Sequence, residues 1–182
     1  MTQTVFIDGA AGTTGLEIVD RLAGRVEFEL LVLDDEARKR TSARRDAYFA
    51  ADYAVLCLPD DAAVEAVTLA EGSTVRIIDA SSAHRTAPGW IYGFPELIGR
   101  DNVASASRVT NPGCYPTGFL ALVAPLIRQG LLPANWPYVC YAVSGYSGGG
   151  KALIARFEAE PDIAYRDSST VLEVSSSGSC SR

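Results

Sequence analysis

The sequence predicts an α/β fold built on a mainly parallel, doubly wound sheet, and three observations carry that expectation. Short apolar runs at residues 4–8, 29–33, 54–58 and 75–79 alternate with segments of helical periodicity. Three glycines, Gly9, Gly12 and Gly15, join the first run directly to the first helical segment. Polar residues collect where the runs end, at the carboxyl edge where such sheets hold ligands.

A chain of 182 residues supports one well-packed domain, or one domain and part of another. Hydrophobic residues make up 48%, which supplies a sizeable core and excludes wholesale disorder. A net charge of -6 argues against a protein whose main work is gripping nucleic acid or anionic membrane. No stretch approaches a membrane span, and the N-terminus lacks the basic and long apolar segments of a signal peptide. Cysteines at 57, 114, 140 and 180 share no short metal-binding spacing, so no metal site is expected. None of them requires an oxidising compartment, and cytoplasm is the expected location.

The first run, 4–8, reads as a strand, and Leu16, Val19, Leu22 and Ala23 mark the inner face of a helix ending near Gly24. Glycines between strand and helix let the backbone approach a pyrophosphate, whose charge meets the helix N–H groups. The Gly-x-x-Gly-x-x-Gly spacing is one residue longer in its first gap than the commonest dinucleotide fingerprint. Its framing favours nucleotide binding over a plain tight turn. The second strand, 29–33, ends at Asp34 and Asp35, with Arg38, Lys39 and Arg40 just beyond. An acid here takes the ribose 2′-hydroxyl of NAD, whereas an arginine accommodates the 2′-phosphate of NADP. Without other evidence the basic run reads as a solvated loop.

The third strand, 54–58, is closed by Pro59, and Asp60 or Asp61 is expected to cap the next helix. That helix carries Ala63, Val64 and Val67 on its apolar side and stops at Gly72. The fourth strand, 75–79, runs into Ser81, Ser82, His84 and Arg85. His84, the single histidine, reads either as a catalytic base or as a capping or loop residue, the structural role being preferred. Arg85 is the better functional candidate, because its fork can hold a carboxylate or phosphate. Trp90, Tyr92, Phe94 and Pro95 then lie in a loop.

Asn111-Pro112-Gly113-Cys114-Tyr115-Pro116-Thr117 precedes Phe119, Leu122, Val123 and Leu126, the spacing of one buried helix face. Cys114 is therefore expected at a helix N-terminus, where orphan N–H groups favour the thiolate and could hold an oxyanion. A buried thiol that only packs remains the alternative. Cys57 and Cys140, inside strand-like runs, read as inert core thiols. Strand 138–144 leads into a second glycine-rich turn, 145–151, where Ser144, Ser147 and Lys151 suit a phosphorylated substrate or simply a flexible loop. The turn lacks Walker A spacing, so ATP hydrolysis is not expected. Residues 152–160 read as helical, and from 166 the chain is serine-rich without apolar periodicity.

In their order, Asp8-Gly9-Ala10-Ala11-Gly12-Thr13-Thr14-Gly15, Cys57-Leu58-Pro59-Asp60-Asp61, Asp79-Ala80-Ser81-Ser82-Ala83-His84-Arg85, the Cys114 motif and Ser144-Gly145-Tyr146-Ser147-Gly148-Gly149-Gly150-Lys151 cover the chain to about Tyr165. That series resembles the N-acetyl-gamma-glutamyl-phosphate reductase family in its shorter bacterial form. Aspartate-semialdehyde dehydrogenase shares the general plan and fits these motifs less well. The resemblance implies an NADP-binding Rossmann-type domain at 1–112, the start of an incomplete α/β substrate and dimerisation domain at 113–165, and an atypical serine-rich tail at 166–182.

It further implies a homo-oligomeric, NADP(H)-dependent enzyme acting on a small-molecule acyl phosphate, with Cys114 as nucleophile. Gly9, Ala11, Gly12, Thr13, Thr14, Gly15, Ser147 and Gly148 would bind the cofactor. Arg38 and Lys39 would turn from loop charges into 2′-phosphate ligands, and Arg85, Ser144 and Lys151 would hold the substrate's anionic groups. The family's general acid/base is a histidine beyond the glycine turn, and no histidine follows His84 here. The second domain also reads as half built. The expectation is a C-terminally truncated reductase whose own competence is open, the alternatives being a nucleotide-binding fragment without turnover or a related acyl-phosphate or semialdehyde dehydrogenase.

Overall fold

The computed structural model describes residues 2–142, 154–155, 158–159 and 170–173. The chain divides into two compact units, Met1–Gly113 and Cys114–Arg182, and each is taken by itself. In the first, β1 (Gln3–Asp8), β2 (Phe28–Leu31), β3 (Tyr53–Leu56), β4 (Arg76–Asp79), β5 (Ile91–Tyr92) and β6 (Arg108–Thr110) form one sheet in the order β2-β1-β3-β4-β6-β5. Every pairing in that sheet is parallel. The chain goes from β1 to one neighbour and later returns to the other, so direction reverses beside the end of β1, where open α/β sheets bind ligands. The predicted parallel α/β architecture is the one observed.

Both faces of the central strands β1 and β3 are covered, which is why those two read as continuous apolar runs. Val5, Ile7 and Val55 point to the face packed by Ile18, Val19 and Leu22 of α1 (Thr13–Leu22). Phe6, Ala54, Leu56 and Ile77 point to the other, against Ala47, Tyr48 and Ala51 of α2 (Thr41–Ala50) and its end, and Ala63, Ala66 and Ala70 of α3 (Asp60–Leu69) and its end. The alanines put little bulk against the sheet, and Tyr48 of α2 sets its ring edge-on to Phe6 at 4.9 Å. Two very short helices, α4 (Pro95–Ile98) and α5 (Arg100–Ser105), precede β6.

Several expectations are corrected. Leu16 is 58% exposed and not on the inner face, because Gly15 is the α1 residue turned into the bend. Ile18 takes the packing role that Leu16 was expected to have, and Ala23 is exposed past the helix end. On α3, Val64 is exposed while Ala66 is buried. Pro59, and not Asp60 or Asp61, occupies the N-cap of α3, and Asp60 is its first helical residue. Its carboxylate instead accepts the Ser82 N–H at 2.9 Å and the Ser82 hydroxyl at 2.6 Å, tying α3 to the loop after β4. Residues 90–95 hold β5 and the start of α4 instead of a plain loop, elements too short to leave a periodic signal.

The second unit contains α6 (Cys114–Arg128) and an antiparallel pair, β7 (Val139–Ala142) with β8 (Thr170–Glu173). Pro125 lies within α6. The helix closes where the Gly130 N–H reaches the Ile127 carbonyl and the Leu131 N–H reaches that of Leu126. Its expected buried face is not buried: Leu122 is 73% exposed and Leu126 39%. Among the described residues the apolar face of α6 meets one ring, Tyr138 beside Phe119 at 6.4 Å.

The bend after β1 offers a direct stability test. Gly9 has φ +88°, and a Cβ there would lie 2.2 Å from the Cys57 carbonyl oxygen. Gly24 has φ +78° and nothing within 4 Å. Gly24→Ala should cost about 1–2 kcal/mol, the left-handed penalty alone. Gly9→Ala adds an overlap with backbone that cannot step aside, about 1–3 kcal/mol more. Urea unfolding followed by circular dichroism should separate the two variants. Equal midpoints would show that the approach of Gly9 to Cys57 carries no weight.

Candidate functional site

β1 ends at Asp8, the chain bends through Gly9 and Gly12, and α1 begins at Thr13. The Gly12 N–H bonds the Gly9 carbonyl at 2.9 Å, and the Leu16 N–H bonds that of Gly12 at 2.9 Å. A Cβ on Gly15 would sit 2.3 Å from the Gly9 oxygen, so helix and bend are in backbone contact. Gly12 is the N-cap, and no side chain caps the helix. The first turn of a ten-residue helix therefore presents its N–H groups and positive dipole end without a resident acceptor from a cap.

Beside this bend is a cleft of about 240 Å³. Gly9, Ala10 and Ala11 form one side, Leu16 and Val19 of α1 another, and Val32, Leu33, Asp35 and Arg38 beyond β2 the third. An apolar slot with a glycine bend at one end and an arginine at the other has the shape and chemistry for a dinucleotide's adenosine and pyrophosphate. The structure thus brings Gly9, Ala11 and Arg38 to one cleft, while Gly12, Thr13, Thr14 and Gly15 continue the bend into the helix.

Two charged candidates are differently placed. Asp34 turns into its own loop, accepting the N–H groups of Glu36 at 3.0 Å and Ala37 at 2.7 Å. Those backbone bonds, Ala37 foremost, hold its carboxyl below the usual range. Asp35, paired with Arg38 Nε at 2.9 Å, is the one of these two acids that reaches the cleft. Lys39 pairs with Glu36 at 3.3 Å and does not line the cleft.

A buried polar cluster that the sequence reading missed underlies the bend. Asp8, 4% exposed, accepts the Tyr48 hydroxyl at 2.5 Å and Arg44 Nη2 at 2.9 Å on the same oxygen, Oδ2, with Arg44 Nε at 3.2 Å. Arg44 Nη1 continues to Glu65 at 3.1 Å. Burial weakens the Arg44 guanidinium's hold on its proton, but the Asp8 hydrogen bond and charge outweigh it and the net direction is upward. Tyr48 is also pushed up, by burial first and the Asp8 charge second, and stays a neutral donor. The available signal was chemical: a tyrosine at a helical core position needs a partner for its hydroxyl, and Asp8 ends the neighbouring strand.

At the end of β4, Asp79 is wholly buried and accepts the Ser81 N–H and hydroxyl, each at 2.8 Å. His84 Nδ1 lies 2.6 Å from Asp79 Oδ2, the oxygen that also accepts the Ser81 hydroxyl, and its ring stacks on Trp90 at 4.3 Å. That arrangement fits the structural role preferred for His84. The next residue, Arg85, is half-buried with its Nε unpartnered among the described residues. Cys57 sits between Asp8 and Asp79; burial first, then those two charges, push its thiol up to about 11. It is protonated and inert at neutral pH, as expected.

Cys114 is the first residue of α6 and is exposed. Ser144, Ser147, Gly148 and Lys151 lie outside the described residues, with the whole second glycine turn. Among the described residues no cluster of His, Cys, Asp or Glu could hold a metal ion, and no helix is long and apolar enough to cross a membrane.

Residues 114–163 match the family described as semialdehyde dehydrogenase, dimerisation domain. A curated relative, N-acetyl-gamma-glutamyl-phosphate reductase 2 of Pseudomonas putida, is 56% identical over 159 residues, covering 86% of this chain and 51% of its own. The N-acetyl-gamma-glutamyl-phosphate reductase of Burkholderia lata is 56% identical over 157 residues, covering 85% and 50%. The chain spans about half the length of the curated relatives it matches.

Among solved structures, aspartate semialdehyde dehydrogenase from Francisella tularensis superposes with a TM-score of 0.69 at 14% identity, over 91% of this chain and 51% of that one. The Candida albicans enzyme with NADP gives 0.58 at 11%, over 82% and 52%. At such identities these two speak for the fold. Residues 4–106 match the family described as semialdehyde dehydrogenase, NAD binding domain. That match takes in more than half of the 182 residues, and the chain belongs to the semialdehyde dehydrogenase family.

Proposed function

We propose that this chain carries the cofactor cleft and the nucleophile of an NADPH-dependent acyl-phosphate reductase, converting N-acetyl-gamma-glutamyl phosphate to the semialdehyde in arginine biosynthesis. The observation that carries the reading is Cys114 at the first position of α6, in a chain 56% identical to reductases of that name. The cleft fits the dinucleotide. The bend after β1 and the uncapped start of α1 would hold its pyrophosphate, the apolar walls its adenine, and Arg38 its 2′-phosphate. NADP(H) is the cofactor on this reading. Arg85, with Ser144 and Lys151, would hold the substrate's anionic groups, and Ser147 and Gly148 would join the cofactor set.

In this mechanism Cys114 Sγ attacks the carbonyl carbon of the acyl phosphate. The C–O bond to phosphate breaks, phosphate leaves, and a thioester remains on the cysteine. NADPH, when bound, would supply the hydride for reducing this thioester to a thiohemiacetal on Cys114. Collapse then breaks the C–S bond, releases the semialdehyde and returns the cysteine. A cytoplasmic location and assembly with a second copy through the dimerisation region belong to the same reading. The single histidine favours a second one, cofactor binding without turnover. His84 Nδ1 is committed to Asp79, and the 182 residues contain no other imidazole to move protons at the cysteine.

Three outcomes test these readings. Iodoacetamide at neutral pH should label Cys114 well ahead of Cys57, whose thiol loses its proton only near pH 11. Labelling of Cys57 should rise as pH approaches that value. Comparable rates at pH 7, measured by peptide mass spectrometry, would remove the case for Cys114. For the cofactor, Arg38→Ala should weaken NADPH binding about tenfold and leave NADH nearly unchanged, the loss of one charge-assisted contact. Lys39→Ala should do less, since it lies off the cleft. Parallel losses for both cofactors would show that Arg38 does not read the 2′-phosphate.

The third outcome concerns turnover. A proton-transfer group contributes roughly 10²–10⁴-fold to rate. Residues 1–182 should therefore bind NADPH yet show no measurable phosphate-dependent oxidation of N-acetylglutamate semialdehyde. Turnover at a full-length relative's rate would reject the second reading and place proton transfer on another group.

A further inference from the structure

We propose that Arg44 is a charge-masking residue for the cofactor bend: by neutralising Asp8 it lets the backbone at Gly9 accept a dinucleotide pyrophosphate. The inference rests on the nucleotide reading above.

Asp8 is a puzzling neighbour for such a ligand. It immediately precedes Gly9, lines the same cleft, and is 4% exposed. A buried carboxylate there would repel a diphosphate through a medium that screens poorly. The fold answers with a second helix. α2 brings Arg44 and Tyr48, one helical turn apart, onto a single Asp8 oxygen. The ion pair is shielded, with side-chain exposures of 11% for Arg44 and 5% for Asp8. Glu65 of α3 takes the remaining arm of the fork and fixes its plane. Removing Arg44 alone would leave Asp8 charged and unmatched beside the ligand. The plainer reading is a latch that merely holds α2 against β1, indifferent to charge.

The two readings separate in the whole chain titrated with NADPH, followed by nucleotide fluorescence. Arg44→Met should weaken binding by about tenfold or more, the effect of an unmasked charge near the phosphates. Asp8→Asn, which removes the charge and keeps an acceptor oxygen, should bind at least as tightly as wild type. The double variant Asp8→Asn, Arg44→Met should recover to within about threefold, because nothing is left to mask. A latch predicts otherwise: every variant weakens, and the double is as poor as Arg44→Met. That pattern, or wild-type affinity in Arg44→Met, would overturn the proposal.

Melting temperatures accompany each titration. If Arg44→Met unfolds below the assay temperature, Asp8→Asn alone decides, and weakened binding by that folded variant counts against masking. Wild-type protein that fails to bind NADPH would reject the nucleotide reading itself. Wild-type binding without rescue in the double variant rejects only the role given to Arg44.

Discussion

The carbonyl oxygen of Cys57 lies where a side chain on Gly9 would have to begin, 2.2 Å from that position, and the Cys57 N–H bonds the Asp8 carbonyl at 2.8 Å. The ends of β1 and β3 are thereby joined at the point where the strand order reverses. Gly15 then sits against the Gly9 oxygen, so strand, bend and α1 are stacked backbone on backbone. Everything else in the cleft is built outward from that stack. The cleft walls lie on α1 and beyond β2, and the polar support below comes from α2. A rigid bend offers preorganised N–H groups, which bind an anion without first losing freedom of their own.

The fold was legible where burial on both faces left uninterrupted apolar strands. β1 and β3 are such strands, and the glycine bend is explicit because only glycine fits two of its positions. α2 was illegible for the opposite reason. Its inner residues are Ala47 and Tyr48 amid arginines, serine and aspartate, so the apolar stripe is faint. With it went Arg44 and Tyr48, whose partner lies 36 and 40 residues away in sequence. No local spacing announces a contact of that range.

The candidate site divides in the same way. Arg38 and Lys39 were inseparable in sequence, and one 3-10 turn, Ala37–Lys39, sends only the first to the cleft. Asp34 and Asp35 were likewise equivalent until backbone N–H groups claimed the former. Cys114 at a helix start was readable from two prolines and a periodic face. That the face stays open followed from the half-built second domain and not from periodicity, which reports which side is apolar and is silent about what covers it.

The alanines beneath α2 and α3 have a consequence for how this chain can vary. Ala47, Ala51, Ala63, Ala66 and Ala70 are each at most 7% exposed against the sheet. From an alanine codon, single-base changes reach valine, threonine, serine, proline, glycine, aspartate and glutamate. Only glycine and serine add little bulk and no charge; the rest must displace a helix, break it or bury an acid. Displacing α2 moves Arg44 and Tyr48 away from Asp8. Positions with the least chemical character in the domain are thus among those where drift is most tightly fenced, while Val64, one residue along α3 and open to solvent, is free to wander.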